Sequence, residues 1–267
     1  MKRILSILCS MLLCVSFAGC GNSKNNSNAN PNSSNNNSPV ELTISAATSL
    51  KEAMADIEPL FTEKYPNVKL TFNFGASGSL QQQIEQGAPS DIFISAGQSQ
   101  MTALKDEELM INESCKDLVK NRLVLVGPSD TTITSINQLS TDSVKKIAVG
   151  EPSSVPAGKY ADEVLKNLGI YDDISSKLVF AKDVKEVLAW STSGNADVGF
   201  VYLSDAVSNS SSKIIEKVSE DLHSPIKYPI GIVKSTKNQK EAQDFVDFLF
   251  NDQSKAIFEK YGYSPLD

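Results

Sequence analysis

Short apolar runs recur along the chain from about residue 40, separated by longer stretches whose apolar positions fall three or four residues apart. The short runs are rich in Val, Ile and Phe, which is typical of strands, and the wider spacing is typical of helices with one buried face. The predicted strands are Leu42–Ala47, Val68–Phe74, Asp91–Ala96, Leu123–Gly127, Lys146–Gly150, Leu178–Ala181, Asp197–Tyr202 and Gly231–Lys234. This alternation predicts an α/β fold with mostly parallel sheets.

Four of the predicted strands end in small or hydroxylated residues and turn directly into a predicted helix. The turns contain Thr48-Ser49, Ser77-Gly78-Ser79, Pro156-Ala157-Gly158 and Asp183-Val184. Glu or Gln follows three residues after Ser49, Ser79 and Asp183, a spacing typical of capped helix starts. The helices after the last three turns are predicted to end at Gly87, Gly169 and Gly194.

A strand that feeds a helix start presents free backbone N–H groups and the positive end of the helix dipole, which together form an anion site. Two such turns lie in each half of the chain, and the sequence suggests no lysine or arginine there suited to a salt bridge with a ligand. Any one hydroxyl at such a turn is explained by helix capping alone. The four turns together predict an oxyanion held in a cleft by neutral hydrogen bonds.

The N-terminus predicts export and lipid anchoring. Residues 1–20 have a basic start, Lys2-Arg3, and an apolar stretch too short to span a bilayer, as in a signal peptide. The stretch ends in Ala18-Gly19-Cys20, which resembles a bacterial lipoprotein cleavage box with Cys20 as the lipidated residue. Residues 21–39 are rich in Asn and Ser and predict a disordered tether.

Residue counts exclude several classes of function. Once Cys9, Cys14 and Cys20 are assigned to the signal peptide and the lipid, Cys115 alone remains, so neither a disulfide nor a cysteine metal site is expected. The single histidine, His223, argues against histidine catalysis and is expected on a polar surface segment. The formal net charge of −7 makes nucleic acid an unfavourable partner.

Five segments carry a resemblance to the substrate-binding proteins of bacterial molybdate ABC importers. They are AATSLKEAM, FNFGASGSLQQQIEQGAPSDIFISA, AVGEPSSVPAGKYADEVL, AKDVKEVLA and GFVYLSDA. The resemblance extends from about residue 41 to the C-terminus and implies a type II periplasmic-binding fold: two α/β lobes, two hinge crossovers and a ligand cleft. It also implies a monomer that delivers molybdate or tungstate to a membrane permease, without a cofactor or a cation site.

Carried over by position, the resemblance places the molybdate contacts on Ser49, Ser77, Ala157, Val184 and Tyr202. The serines would donate hydroxyl and backbone hydrogens, Ala157 and Val184 backbone hydrogens only, and Tyr202 its phenol. Thr48 is a further candidate that could share the role of Ser49.

The expected organisation is lobe 1 in residues 40–122 and 233–267 and lobe 2 in residues 123–232. Two alternatives to molybdate or tungstate binding stay open. One is another tetrahedral oxyanion such as sulfate. The other is a secreted hydrolase using Ser77, since Gly75–Ser79 resembles a nucleophile elbow, although Ser79 stands at its second glycine position.

Overall fold

A computed structural model describes residues 39–266. The predicted signal peptide, Cys20 and the tether up to residue 38 lie outside the described residues. The strands are β1 (Val40–Ala47), β2 (Val68–Gly75), β3 (Ile92–Ile94), β4 (Lys116–Lys120), β5 (Leu123–Pro128), β6 (Ile147–Gly150), β7 (Leu178–Ala181), β8 (Val198–Tyr202), β9 (Ser212–Lys217), β10 (Lys227–Ile232) and β11 (Ser264–Pro265). The helices are α1 (Lys51–Lys64), α2 (Ser77–Glu85), α3 (Gln98–Asp106), α4 (Pro156–Asn167), α5 (Tyr171–Ile174), α6 (Val184–Ser193), α7 (Leu203–Val207), α8 (Gln239–Leu249) and α9 (Asp252–Lys260).

The first lobe is built on a six-stranded mixed sheet in the order β11-β4-β10-β3-β1-β2. Strand β1 is parallel to both β2 and β3, whereas β10 is antiparallel to β3 and β4. Helix α1 covers this sheet with Ala53, Met54, Ile57 and Phe61, all of them buried. The closing helix α8 adds Phe245 and its buried neighbours, as the apolar spacing predicts.

The second lobe is built on a five-stranded mixed sheet in the order β7-β6-β8-β5-β9. Strands β6, β7 and β8 are parallel to one another, and β5 is antiparallel to β8 and β9. Helices α4 and α6 pack on this sheet through the apolar faces seen in the sequence. The predicted helix ends at Gly87, Gly169 and Gly194 are confirmed, since each glycine has a positive φ of 70–82°.

The α/β two-lobed fold class is confirmed, with sheets that are mixed rather than mostly parallel. The chain passes to the second sheet through Asn121-Arg122, between β4 and β5, and returns through residues 218–226. Strand β10 therefore belongs to the first sheet, and the expected extent of lobe 2, residues 123–232, includes one strand too many. The reason is long-range pairing: nothing local in Lys227–Ile232 distinguishes the two sheets.

Candidate functional site

The parallel strands of each lobe end at one edge of their sheet, and each pair of ends feeds two helix starts. In lobe 1, Ala47 lies opposite Gly75 in the β1–β2 register. In lobe 2, Gly150 lies opposite Ala181 in the β6–β7 register. The residues that follow these four positions are therefore brought together in pairs, and the closed lobes bring the two pairs face to face.

All six candidate residues from the sequence line one small cavity between the lobes. Its lining consists of Ala47, Thr48, Ser49, Gly75, Ala76, Ser77, Ala96, Val155, Pro156, Ala157, Val184 and Tyr202. None of these lining residues is charged. A small anion in this cavity would meet hydroxyl and amide hydrogens without a charged partner.

Lobe 1 contributes two buried serines, and the hydroxyl oxygen of each has a hydrogen-bond partner inside the protein. Ser77 is 1% exposed, and its Oγ accepts a hydrogen bond of 2.9 Å from the backbone N–H of Ala96. Ser49 is 3% exposed, and its Oγ lies 2.9 Å from the hydroxyl of Tyr228. The backbone carbonyl of Ser49 also accepts a 2.7 Å hydrogen bond from the hydroxyl of Tyr263.

Lobe 2 contributes backbone amides at two helix starts. Pro156 and Val184 are the first residues of α4 and α6, so Ala157 and Val184 lie in first turns, where N–H groups have no intrahelical acceptor. Within residues 39–266, no acceptor takes the amide hydrogens of these two residues. They are free to donate into the cavity.

Tyr202 brings its phenol to the cavity from the end of β8. It is 1% exposed, and its hydroxyl lies 3.5 Å from the carbonyl oxygen of Ala96 in the other lobe. Burial raises the pKa of Tyr202 well above its ordinary value, so the phenol keeps its proton and is a hydrogen-bond donor. The long contact with Ala96 leaves that hydrogen available to a stronger acceptor.

The structure has a closed cleft. The backbone N–H of Gly78 in lobe 1 donates a 2.9 Å hydrogen bond to the carbonyl of Ser154 in lobe 2. A Cβ on Gly78 would lie 2.7 Å from that carbonyl oxygen and 2.8 Å from Ser154 Cα. Glycine is therefore required at position 78 by the close approach of two backbones.

An ion-pair chain beside the cavity also joins the lobes. The ammonium of Lys185 on α6 lies 2.7 Å from Glu52 on α1 and 2.9 Å from Asp205 on α7. Burial alone would lower the pKa of Lys185, but the charges of Asp205 and Glu52 reverse this and raise it. Sequence reasoning missed this lysine, which follows Val184 directly; its charge is directed to two carboxylates, and it does not line the cavity.

Asp205 is fully buried against Lys185 and does not line the cavity. Burial raises the pKa of its carboxyl to about 6, although the ammonium of Lys185 acts in the opposite direction. The three side chains Glu52, Lys185 and Asp205 together hold one positive and up to two negative charges. The cavity therefore has no surplus of positive side-chain charge behind it.

Two of the three predicted helix-capping pairs are wrong. Neither α1 nor α2 has a side-chain cap: Ser49 faces Tyr228 instead, and α2 begins at Ser77, before Ser79. The third pair is confirmed, because the carboxylate of Asp183 accepts from the backbone N–H of Glu186 at 2.9 Å. Ser49 thus makes a tertiary contact with Tyr228, although the local sequence predicts that it caps a helix.

His223 is not on the surface, contrary to the sequence-based expectation. It is 8% exposed, its Nδ1 lies 2.8 Å from the carbonyl of Ser224, and its ring packs 5.8 Å from that of Tyr160. The hydroxyl of Ser77 has the Ala96 amide as its partner, and His223 does not line the cavity. His223 is therefore not placed to act as a general base for Ser77, as the hydrolase alternative would need.

A wider groove lies between α3 and α4 beside the cavity. Its lining includes three carboxylates, Asp106, Asp117 and Glu163, and two ammonium groups, Lys159 and Lys227. The carboxylates outnumber the ammonium groups, so the groove suits a small dianion less well than the neutral cavity does.

No helix within residues 39–266 is long and apolar enough to cross a membrane. The same range contains no group of three or more His, Cys, Asp or Glu side chains placed to hold a metal ion.

Comparison with known proteins agrees with this geometry. The family model of bacterial extracellular solute-binding proteins matches residues 42–264. YvgL of Bacillus subtilis, provisionally named an ABC transporter substrate-binding lipoprotein, is 39% identical over 249 residues, and the match covers 92% of each chain. The molybdate-binding protein ModA of Escherichia coli is 38% identical over 230 residues, which cover 84% of this chain and 89% of ModA.

A solved structure shows the same fold. It is a substrate-binding domain from Clostridium difficile, provisionally assigned to a molybdenum ABC transporter, and it is 59% identical with a TM-score of 0.68. The match covers 85% of this chain and all of that one. The resemblance seen in the five sequence segments is confirmed.

Proposed function

The protein belongs to the family of bacterial extracellular solute-binding proteins, and we propose that it captures molybdate or tungstate in the interlobe cavity and delivers it to an ABC importer. The observation that carries this proposal is the cavity itself: four helix starts and one phenol converge on a space without a charged side chain. Relatives named for molybdate binding support the choice of ligand.

In this proposal, Ser49, Ser77 and Tyr202 donate hydroxyl hydrogens to the oxyanion, and Ala157 and Val184 donate amide hydrogens. Thr48 lies on the same wall and shares the role of Ser49. Because the donors come from both lobes, the ligand completes the contacts that keep the cleft closed. Hydrogen bonds to a charged group contribute about 1.5–3 kcal/mol each, so donors without countercharge suffice for tight binding.

The test is thermal unfolding of the purified protein with molybdate, tungstate, sulfate or phosphate at one ionic strength. A ligand that binds the native state alone stabilises it by about 2.7 kcal/mol at a hundredfold excess over its dissociation constant. Molybdate and tungstate should raise the melting temperature far more than the other two. A larger rise with sulfate would identify sulfate as the ligand, and no rise with millimolar oxyanion would refute the proposal.

We further propose that the protein is a monomer tethered to the extracytoplasmic face of the membrane by lipid on Cys20. The Ala18-Gly19-Cys20 box, the Asn/Ser-rich stretch after it and the name of the YvgL relative support this. Cys20→Ala should move the protein from the membrane fraction to the soluble fraction. If the variant stays with membranes after a high-salt wash, the lipid is not the anchor.

A further inference from the structure

We infer that Asn121 and Tyr228 are positioning residues that turn the hydroxyl hydrogen of Ser49 into the cavity and so decide which oxyanions are accepted. This inference rests on the proposed function and deepens it. A serine hydroxyl can donate or accept, so the choice depends on its other neighbours. Here those neighbours form a chain of hydrogen bonds whose direction is fixed at its far end.

The fixed end is the side-chain amide of Asn121, which is 7% exposed and lies in the first crossover between the lobes. Its Oδ1 accepts a 2.8 Å hydrogen bond from the backbone N–H of Arg122. Because a backbone N–H can only donate, the amide atom facing it must be the oxygen. The NH₂ group therefore faces the other way, where it donates to Ser204 Oγ at 2.9 Å and to the Tyr228 hydroxyl at 3.2 Å.

The next link is the hydroxyl of Tyr228, a residue with no solvent exposure. Its oxygen accepts from Asn121, which has no lone pair to offer in return at this nitrogen. Two hydroxyls remain near that of Tyr228: Ser49 Oγ, 2.9 Å away, and the phenol of Tyr202, whose interaction with it is weaker. The hydrogen of Tyr228 is thus directed to Ser49, the partner in hydrogen-bond geometry. Burial raises the pKa of Tyr228 well above its ordinary value, so this hydrogen is present at any physiological pH.

Ser49 is the last link. Its Oγ accepts from Tyr228, and its backbone carbonyl accepts from Tyr263. What remains unassigned is the hydroxyl hydrogen of Ser49, and the open space beside it is the cavity. Ser77 has the same arrangement, but its donor is a backbone N–H. Its Oγ accepts from the Ala96 amide, and its hydroxyl hydrogen is likewise left for the cavity.

The consequence is selectivity by proton count. Molybdate, tungstate and sulfate are unprotonated dianions near neutral pH and need donors only, whereas phosphate keeps at least one O–H that needs an acceptor. With free rotation, Ser49 could turn its lone pair to such an O–H and tolerate phosphate. The Asn121–Tyr228 chain prevents this turn, and a buried O–H without an acceptor is strongly disfavoured.

The test compares two matched variants, Tyr228→Phe and Tyr263→Phe. Both replace a buried tyrosine that bonds to Ser49, but Tyr228 bonds to its hydroxyl, whereas Tyr263 donates its hydroxyl hydrogen to the backbone carbonyl. The quantity measured is the ratio of the phosphate to the molybdate dissociation constant, by competition titration at fixed ionic strength near pH 7. Tyr228→Phe should lower this ratio at least tenfold, whereas Tyr263→Phe should keep it within twofold of the parent even where its melting temperature falls.

A second variant, Asn121→Asp, tests the direction of the chain if Tyr228→Phe does not fold. It is nearly isosteric and replaces the donating NH₂ by an accepting oxygen, so Tyr228 should donate to the new carboxylate and Ser49 to Tyr228. Molybdate binding should then fall and the ratio should drop further than in Tyr228→Phe. An unchanged ratio in the variants that fold, or an equal change in Tyr263→Phe, overturns the inference.

The same titrations separate this inference from the proposed cargo. If the parent binds sulfate rather than molybdate, the cargo is wrong, and the phosphate-to-sulfate ratio tests the chain of hydrogen bonds in the same way. If the parent binds molybdate and the Tyr228→Phe ratio is unchanged, the cargo stands and the inference fails. A parent that binds no oxyanion refutes both.

Discussion

Replacing Gly78 by alanine should weaken oxyanion binding and, at the same time, stabilise the ligand-free protein. The added Cβ meets Ser154 of the other lobe at 2.7 Å from the carbonyl oxygen and 2.8 Å from Cα. Both obstacles are backbone atoms, so no rotamer change relieves the contact. The lobes must part at this point by about 0.7 Å before the carbonyl contact reaches the ordinary 3.4 Å.

Such a parting stretches the Gly78–Ser154 hydrogen bond from 2.9 Å to beyond the normal range. Overpacking of a tight contact costs about 1–3 kcal/mol. If the open state is free of the contact, this cost appears entirely as lost affinity, roughly 5- to 150-fold in the dissociation constant. In the open state, alanine replaces glycine in the first turn of α2, and helix propensity predicts a gain of up to about 1 kcal/mol.

The assay is isothermal titration with molybdate, combined with unfolding of the ligand-free protein. Ser79→Ala is the matched control, because it lies in the same helix turn and does not line the cavity. The control should bind like the parent. If Gly78→Ala also binds within twofold of the parent, the 78–154 contact is not part of the liganded state, and the reasoning from closure is refuted.

Three further predictions follow from the same contacts. Ser49→Ala and Ser77→Ala should each weaken binding by about 1.5–3 kcal/mol in titration calorimetry; if both bind within twofold of the parent, the serines only support the fold. Glu52→Gln should lower ligand affinity a few-fold with little change in the stability of the ligand-free protein, because its partner Lys185 lies in the other lobe. Equal losses of affinity and of ligand-free stability would show that this ion pair does not contribute specifically to closure. For Asp205, the pKa of about 6 exceeds the ordinary 3.8, so the folded state holds a proton that the unfolded state has lost, and stability should fall as pH rises from about 4 to about 6. Relative to Asp205→Asn, the melting temperature of the parent should decline across that window, and a parallel pH profile for the two proteins would contradict the raised pKa.

Local sequence patterns predicted the parts of the fold whose causes are local. The buried runs that became β6 and β8 are continuous apolar segments, β1 alternates apolar and polar residues, and the glycines at positions 169 and 194 mark helix ends with positive φ. Three strands were not predicted: β4, β9 and the two-residue β11. Lys116–Lys120 and Ser212–Lys217 have exposed lysines at their ends, and β9 lies at the edge of its sheet, so neither reads as a buried run.

Only the residues that line the cavity could be predicted from the sequence. Strand-to-helix turns and the family resemblance pointed to the residues that line the cavity. The layer behind them depends on contacts between residues more than a hundred positions apart, such as Ser49 with Tyr228 and Lys185 with Glu52. Side-chain spacing along the chain carries no information about such pairs, so the spacing of Ser49 and Glu52 predicts a helix cap rather than the Tyr228 contact, and nothing in the spacing indicates the ion pairs of Lys185.

The charge balance of the cavity predicts that closure is coupled to binding of the proposed dianion. Each helix start carries the equivalent of roughly +0.5 elementary charge, so the four starts at this cavity sum to about +2, the complement of a dianion. Neither lobe alone supplies more than half of that, and the chain as a whole has a formal net charge of −7. One open lobe therefore balances only part of the charge of a dianion, and the negative net charge of the protein opposes its binding. Only the closed arrangement, with α1, α2, α4 and α6 converging, matches its charge, so the ligand favours closure through its differential affinity for the two states.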